Sequence, residues 1–251
     1  MSATSGQPAV LLTSGQGDTA ELQLFGATVT SYKKGGKELL WLSSQAIYNN
    51  KKAIRGGIPL VFPQFGAPIP SMPQHGFARN RAWKVKSTST KDGIPEAQLI
   101  LSEDEESLTC WPHKFCLTFT VKLSNDCLTT TLSMVNPADA SAAFSLQCLQ
   151  HTYLAVESID EVEISGLAGL TYKDKVKGGD SLQGEAPLTV KSETDSVYTA
   201  VDAAAAPIEV ICGGERTMKV EVSATVAGAA VPVDIVAWNP WIEKSKALGD
   251  Y

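Results

Sequence analysis

The sequence predicts an all-β protein built as a large antiparallel β-sandwich, and three observations lead to this class. Apolar and polar residues alternate with a period of two in several segments, no window carries a sustained helical stripe, and turn-forming residues recur at short intervals. With 43% hydrophobic and 19% charged residues, the 251-residue chain can bury a core. Many short strands in one chain usually form a sandwich or barrel, because two inner faces then cover each other.

The clearest element is an antiparallel hairpin near the middle of the chain. Turn residues at 124–126 separate two alternating runs, as expected when neighbouring strands are joined by a tight turn. The apolar members of the first run are Phe115, Leu117, Phe119, Val121 and Leu123, and the second run alternates at Leu128, Thr130, Leu132 and Met134.

Shorter alternating pairs and triplets predict further strands along the chain. No linker-like stretch and no internal repeat divides the sequence, so we expect residues 1–251 to form a single domain. The further strands are predicted at Leu22 and Leu24, Trp83 and Val85, Leu99 and Leu101, Met218 to Val222, and Val231 to Ile235.

Residues 56–76 are apolar but contain five prolines. Proline offers no hydrogen-bond donor to a sheet, so this segment is predicted to be a packed, rigid loop and not a central strand. A rigid loop over a sheet loses little entropy when a ligand binds, which favours a ligand site. The alternative is a loop that only covers a sandwich edge.

Composition excludes several classes of partner and cofactor. A formal charge of −6 does not supply the broad basic surface that nucleic acids require. Five cysteines without a C-x-x-C pair indicate a reducing compartment, and the three histidines lack zinc-ligand spacing, so no metal is predicted. The sequence shows no signal-like or membrane-spanning stretch, and its first arginine is Arg55, whereas organelle presequences are rich in arginine. We therefore expect a cytoplasmic protein that does not bind membranes. We also expect a monomer.

An ordered set of motifs resembles the hexose-6-phosphate mutarotase branch of the aldose 1-epimerase superfamily. Each motif alone arises easily by chance, but six in this order are specific and cover nearly the whole chain. They are R-G-G-I-P-L-V-F-P-Q-F-G at 55–66, P-Q-H-G-F-A-R-N at 73–80, L-Q-H-T-Y-L at 149–154, L-A-G-L at 167–170, E-T-D-S-V-Y at 193–198 and A-W-N-P-W-I-E-K at 237–244.

The resemblance implies a galactose mutarotase-like supersandwich that interconverts the α and β anomers of a hexose 6-phosphate, with glucose 6-phosphate as the first candidate. This reaction delivers a proton to the ring oxygen and removes one from the anomeric hydroxyl, so one acid and one base suffice. We therefore predict no cofactor. The partner is the small hexose 6-phosphate itself.

His151 matches the general acid of the resembled family. An unperturbed imidazole has a pKa of about 6.5 and can hold or release a proton near neutrality. Counting by twos along a strand places His151 and Tyr153 on one face. Without the family motifs, a hydrogen-bonded structural histidine would be the preferred interpretation.

Four further residues match substrate-binding positions in the same loop region. Arg55 and Arg79 match the family's phosphate-binding residues, and a guanidinium suits a dianion because its fork donates two parallel hydrogen bonds. Gln74 and His75 precede Gly76 and can bond sugar hydroxyls. Taken singly, arginines of this kind are usually solvated surface residues.

Asp195 matches a substrate-binding aspartate of the resembled family, which accepts hydrogen bonds from sugar hydroxyls. The alternative interpretation is a turn aspartate.

Members of the resembled family continue beyond the W-N-P-W motif with strands that hold a general-base glutamate, whereas this chain ends at Tyr251. We therefore expect a C-terminally truncated sandwich. The alternative function is a catalytically silent sugar-phosphate-binding protein, and a glycoside-processing enzyme with two facing carboxylates ranks last.

Overall fold

The computed structural model describes residues 9–137, 143–201 and 207–249. The described chain is dominated by antiparallel strands, which confirms the predicted all-β class. It divides into two compact units, Met1–Ala155 and Val156–Tyr251. Within the described ranges, no helix has the length and apolar character that a membrane crossing requires.

The first unit consists of short antiparallel strands and one helix. Its elements are β1 (Ala9–Thr13), β2 (Thr19–Gln23), β3 (Thr28–Lys34), β4 (Lys37–Glu38), β5 (Leu60–Val61), β6 (Lys84–Lys91), β7 (Ile94–Ser102), α1 (Glu105–Cys110), β8 (Cys116–Leu123), β9 (Leu128–Val135) and β10 (Leu149–Gln150).

Two four-stranded sheets of the first unit, ordered β1-β2-β3-β4 and β6-β7-β8-β9, share one hydrophobic core. Leu22 and Val29 from one sheet and Leu99 and Phe119 from the other are fully buried in that core. The inner faces of the two sheets therefore cover each other, which is the packing of a β-sandwich. A third, two-stranded ladder pairs β5 with β10.

The predicted central hairpin is confirmed by the pairing of β8 with β9. Every residue of β8 has an antiparallel partner in β9, from Cys116 opposite Val135 to Leu123 opposite Leu128. Leu117, Phe119, Val121 and Leu123 are buried, as the alternation indicates. The turn closes where the Ser124 amide donates to the Cys127 carbonyl over 3.0 Å.

The proline-rich segment 56–76 is a loop apart from the two residues of β5, as predicted. Residues 56–64 are all buried, so this half of the loop packs against the core. Residues 67–71 are exposed and form the outer part of the loop. The segment thus joins the core of the first unit to its surface.

The second unit is also antiparallel. Its sheets have the orders β14-β11-β16-β17 and β13-β12-β15-β20, with β18 and β19 forming a separate hairpin. Its elements are β11 (Val162–Ser165), β12 (Thr171–Asp174), β13 (Asp180–Leu182), β14 (Leu188–Thr189), β15 (Thr194–Val201), β16 (Ile208–Cys212), β17 (Glu215–Val220), β18 (Ala224–Val226), β19 (Ala229–Val231), β20 (Val233–Asn239) and α2 (Trp241–Leu248).

The two α-helices are absent from the sequence prediction. In α1 the Asp104 side chain accepts a bond from the Ser107 amide while the Ser107 hydroxyl accepts one from the Asp104 amide, a capping box that stabilises six residues. The helix α2 contains no buried residue. Because neither helix buries a long stripe, neither produces the apolar period by which helices are predicted.

Candidate active site

Three extended segments of the first unit lie side by side and carry the candidate site. The His151 amide donates to the Pro59 carbonyl over 2.9 Å, and the Tyr153 amide donates to the Gly57 carbonyl over 2.8 Å. On the other side, the Trp41 amide donates to the Tyr153 carbonyl over 3.0 Å. These bonds extend the short β5–β10 ladder and fix the backbone on which His151 stands.

Two glycines of the motifs allow backbone segments to approach closely. Gly57 has φ of 67°, and a Cβ there would lie 2.1 Å from the Val29 carbonyl oxygen. Gly76 has φ of 70°, and a Cβ there would lie 2.0 Å from the Phe62 carbonyl oxygen. Both positions therefore admit only glycine, by backbone conformation and by space.

The buried side chain of Gln64 holds the loop together from inside. Its Oε1 accepts from the Ile69 amide over 2.8 Å, and its Nε2 donates to the carbonyls of Pro73 at 3.0 Å and Ile69 at 3.3 Å. The side chain is 2% exposed, so these bonds replace the water that it loses. Gln64 thereby fixes the turn that leads to Gln74 and His75.

The rings of five residues form a continuous column through the candidate site. Phe65 stacks on His75 with centroids 5.4 Å apart, and His75 meets His151 edge-on at 5.9 Å. His151 stacks on Tyr153 at 4.7 Å and 17°, which confirms that these two side chains share a face. Tyr153 in turn contacts Trp41 at 5.7 Å.

The His75 ring is fixed by its own loop. The Gly66 amide donates to Nδ1 of His75 over 3.1 Å, so Nδ1 is an acceptor and the neutral ring carries its proton on Nε2. Burial, and then the positive charge of Arg79 and the neighbouring His151, lower the His75 pKa to about 4. His75 is therefore neutral at pH 7 and can donate a hydrogen bond from Nε2.

His151 also departs from the ordinary titration assumed from the sequence. Burial among the rings lowers its pKa to about 4, and the positive charge of Arg79 acts in the same direction. The expectation of an unperturbed imidazole is therefore wrong for the free protein, because the sequence does not show the desolvating neighbours. At pH 7 the free His151 is neutral.

The two candidate arginines flank the loop 56–76 in the sequence, Arg55 before it and Arg79 after it. Arg79 stands on the 3-10 turn Ala78–Asn80, and its Nη2 donates to the Gln74 carbonyl over 2.9 Å. Gln74 is exposed, and its side-chain amide bonds no other group within the described part of the chain. Arg55 is half-buried, and its carbonyl accepts from the Ser43 amide at 3.1 Å.

Asp195 belongs to the second unit and lies in β15, between β12 and β20, so it is not a turn aspartate. It pairs with Trp238 across the strands, which places the two side chains on one face of the sheet. Burial raises the Asp195 pKa, while Lys175 and Lys244 partly oppose this effect. A half-buried carboxylate beside an aromatic residue suits a polar ligand with an apolar face.

Sequence reasoning missed Trp41, Phe65 and Gln64. Trp41 lies more than a hundred residues from Tyr153, and nothing local in the sequence indicates that contact. Phe65 and Gln64 stand inside a quoted motif, but as ordinary apolar and polar loop residues. Only the left-handed turn at His75, with φ of 67°, brings Phe65 against the His75 ring.

A family model and individual relatives both match this chain and indicate the same family. The family model described as aldose 1-epimerase matches residues 8–250. A protein of Cenchrus ciliaris named "Putative glucose-6-phosphate 1-epimerase" is 38% identical over 98% of this chain and 74% of its own length, and one of the same name from Escherichia coli K12 is 32% identical over 92% and 74%.

Among solved structures, the crystal structure of a "putative mutarotase (YeaD) from Salmonella typhimurium" superposes with a TM-score of 0.72 at 29% identity. The match covers 82% of this chain and 67% of that one. The likeness confirms the all-β mutarotase fold that the motifs implied.

Proposed function

We propose that the substrate of this chain is a hexose 6-phosphate. The chain belongs to the aldose 1-epimerase family and is therefore an enzyme that interconverts the anomers of a sugar. The observation that carries this proposal is the Arg79 guanidinium beside the two neutral histidines, His75 and His151. A fixed cation next to proton-transfer groups suits an anionic sugar. The named relatives make glucose 6-phosphate the first hexose to test.

The chemistry asked of the site is ring opening and closure of a hemiacetal. One group must place a proton on the ring oxygen, and another must remove one from the anomeric hydroxyl. We assign the exchange with the ring oxygen to His151, whose ring is held by the column, hydroxyl binding to Gln74 and His75, and acceptance of the anomeric hydroxyl proton to water. Asp195, in the second unit, is proposed by itself as an acceptor of hydrogen bonds from sugar hydroxyls. A proton-transfer group of this kind contributes about 10² to 10⁴-fold in rate.

The phosphate is assigned to Arg55 and Arg79. A guanidinium binds a phosphate dianion with two parallel hydrogen bonds and keeps its charge at all working pH values. Arg79 donates one bond to the Gln74 carbonyl through Nη2, which orients the guanidinium on the loop. Arg79 thus connects phosphate binding to the residues that precede Gly76.

Replacing Arg55 or Arg79 by Met is expected to weaken hexose 6-phosphate binding by about 1.5 to 3 kcal/mol, the range for a hydrogen bond to a charged group. Affinity for the unphosphorylated hexose should change little, because that ligand lacks the anion. Isothermal titration with both sugars measures the two effects. Equal losses for both sugars would assign the arginines to the fold and contradict their role.

Arg81→Met is the matched control for this experiment. Arg81 is a neighbouring arginine, but its guanidinium is paired with Glu106 and lies 3.9 Å from Asp104. The Arg81→Met substitution should leave the preference for the phosphorylated sugar unchanged.

If the protein binds hexose 6-phosphate but does not accelerate anomer exchange, the catalytic part of the proposal fails and the alternative, a sugar-phosphate-binding protein, remains.

A further inference from the structure

Tyr153 is one of three members of the column of rings to which the proposed reaction assigns no role, and it is the one that stacks on His151. Tyr153 stacks on His151 with centroids 4.7 Å apart and planes 17° from parallel, the closest and flattest contact of the column. Such a stack fixes the plane of the imidazole and excludes water from one of its faces. The other neighbour, His75, meets the same ring edge-on at 71°.

Tyr153 is itself held in place on three sides. Its amide donates to the Gly57 carbonyl over 2.8 Å, and its carbonyl accepts from the Trp41 amide over 3.0 Å. The Trp41 ring lies against its ring at 5.7 Å and 34°. Since the backbone of His151 is bonded to Pro59 on the same segment, both rings stand on one rigid frame.

We propose that Tyr153 is a positioning residue for the candidate reaction, which fixes the plane of the His151 ring so that one ring nitrogen points to the sugar ring oxygen. Proton transfer requires the donor and acceptor atoms within hydrogen-bond distance and in line. Misplacement by about 1 Å can cost about 10²-fold in rate. The role belongs to the Tyr153 ring and not to its hydroxyl.

This inference rests on the proposed function for its catalytic part, but its structural part can be measured without substrate. The chain has three histidines, so His→Asn variants at 75, 113 and 151 assign each imidazole signal by NMR. In the unchanged protein, a ring stacked on Tyr153 must show His151 proton signals shifted upfield of free histidine. The absence of that shift would overturn the inference without any variant having to fold.

The variants Tyr153→Phe and Tyr153→Leu separate the ring from the hydroxyl. Tyr153→Phe should keep the upfield shift and anomer-exchange activity within about twofold, because it retains the stacking ring. Tyr153→Leu should lose the shift and lower kcat by up to about 10²-fold with little change in KM. If Leu does not fold, Tyr153→Met serves as the flexible replacement of similar volume.

Two results with the Tyr153 variants would also overturn the inference. If Leu or Met keeps full kcat while losing the shift, the stack does not serve the reaction. If Phe loses as much activity as Leu, the hydroxyl and not the ring is responsible. Should the unchanged protein show the shift but no anomer exchange with any hexose 6-phosphate, the proposed function fails while the stacking of His151 on Tyr153 stands.

Discussion

The two histidines at the candidate site share a ring column and a neighbouring cation, and both are held neutral. Their pKa values are lowered to about 4, first by burial and then by Arg79. A neutral imidazole is a weak proton donor, so at pH 7 the candidate acid His151 does not carry its transferable proton in the free protein. The charge on Arg79 is the part of this effect that a bound phosphate can change.

Binding of a hexose 6-phosphate is expected to raise the His151 pKa. The phosphate offsets the positive charge of Arg79, which disfavours the imidazolium in the free protein, whereas burial continues to act in the opposite direction. The His151 pKa therefore shifts upward from about 4, and the ring takes up a proton on binding at pH values between the free and the bound pKa. Titrating the His151 ring by NMR with and without ligand measures it.

The unphosphorylated hexose is the control for this titration. It should leave the His151 pKa near its free value, because it carries no charge to offset Arg79. In Arg79→Met the free-state pKa should already be higher. A phosphorylated ligand that binds tightly and leaves the pKa unchanged would show that Arg79 does not meet the phosphate.

At the scale of elements, the strands followed from the sequence where one face is buried. The β8–β9 hairpin carries a clear period of two because four alternate residues of β8 are buried. The helix α2 has no buried residue and hence no such pattern. The loop 56–76 was predicted from its prolines, but the reason for its glycines is visible only in three dimensions.

Gly76→Ala tests whether close backbone approach shapes the loop. The added Cβ would lie 2.0 Å from the Phe62 carbonyl oxygen, on a residue with φ of 70°. We expect a loss of about 3 kcal/mol or more, from left-handed strain of about 1–2 kcal/mol and overpacking of about 1–3 kcal/mol. Chemical denaturation measures the free energy of unfolding.

Gly66→Ala is a matched control for that loss. Gly66 has the same φ of 70°, but a Cβ there would meet nothing within 4 Å. It should cost only the left-handed strain of about 1–2 kcal/mol. Similar losses for the two variants would mean that space at Phe62 does not constrain the loop.

For the whole molecule, the sequence predicted the fold class, the family and the residue types of the site, but not their contacts. His151 and Tyr153 were placed on one face by counting along a strand. Trp41 and Phe65 were missed because they reach the column through pairing between distant segments and through a left-handed turn. The single domain, the monomeric state and the cytoplasmic location stay predictions, as does the role of Asp195.

The lowered pKa of His151 was also beyond sequence reasoning, because desolvation depends on neighbours that are remote in the chain. The cysteine pattern, the net charge and the motifs do not indicate this shift. The lowered pKa affects the proposed mechanism, because a His151 that is neutral in the free protein must gain its proton when the substrate binds. The catalytic assignment therefore depends on His151 more than on any other residue.

The most direct test is anomer exchange of glucose 6-phosphate, followed by saturation-transfer NMR with the protein and its His151→Asn variant. The account predicts exchange faster than the spontaneous rate with the protein, and a loss of about 10² to 10⁴-fold in the variant with ligand affinity nearly unchanged. His113→Asn, which changes a histidine outside the ring column, should exchange at the original rate. A folded His151→Asn variant that exchanges anomers as fast as the unchanged protein would contradict the account.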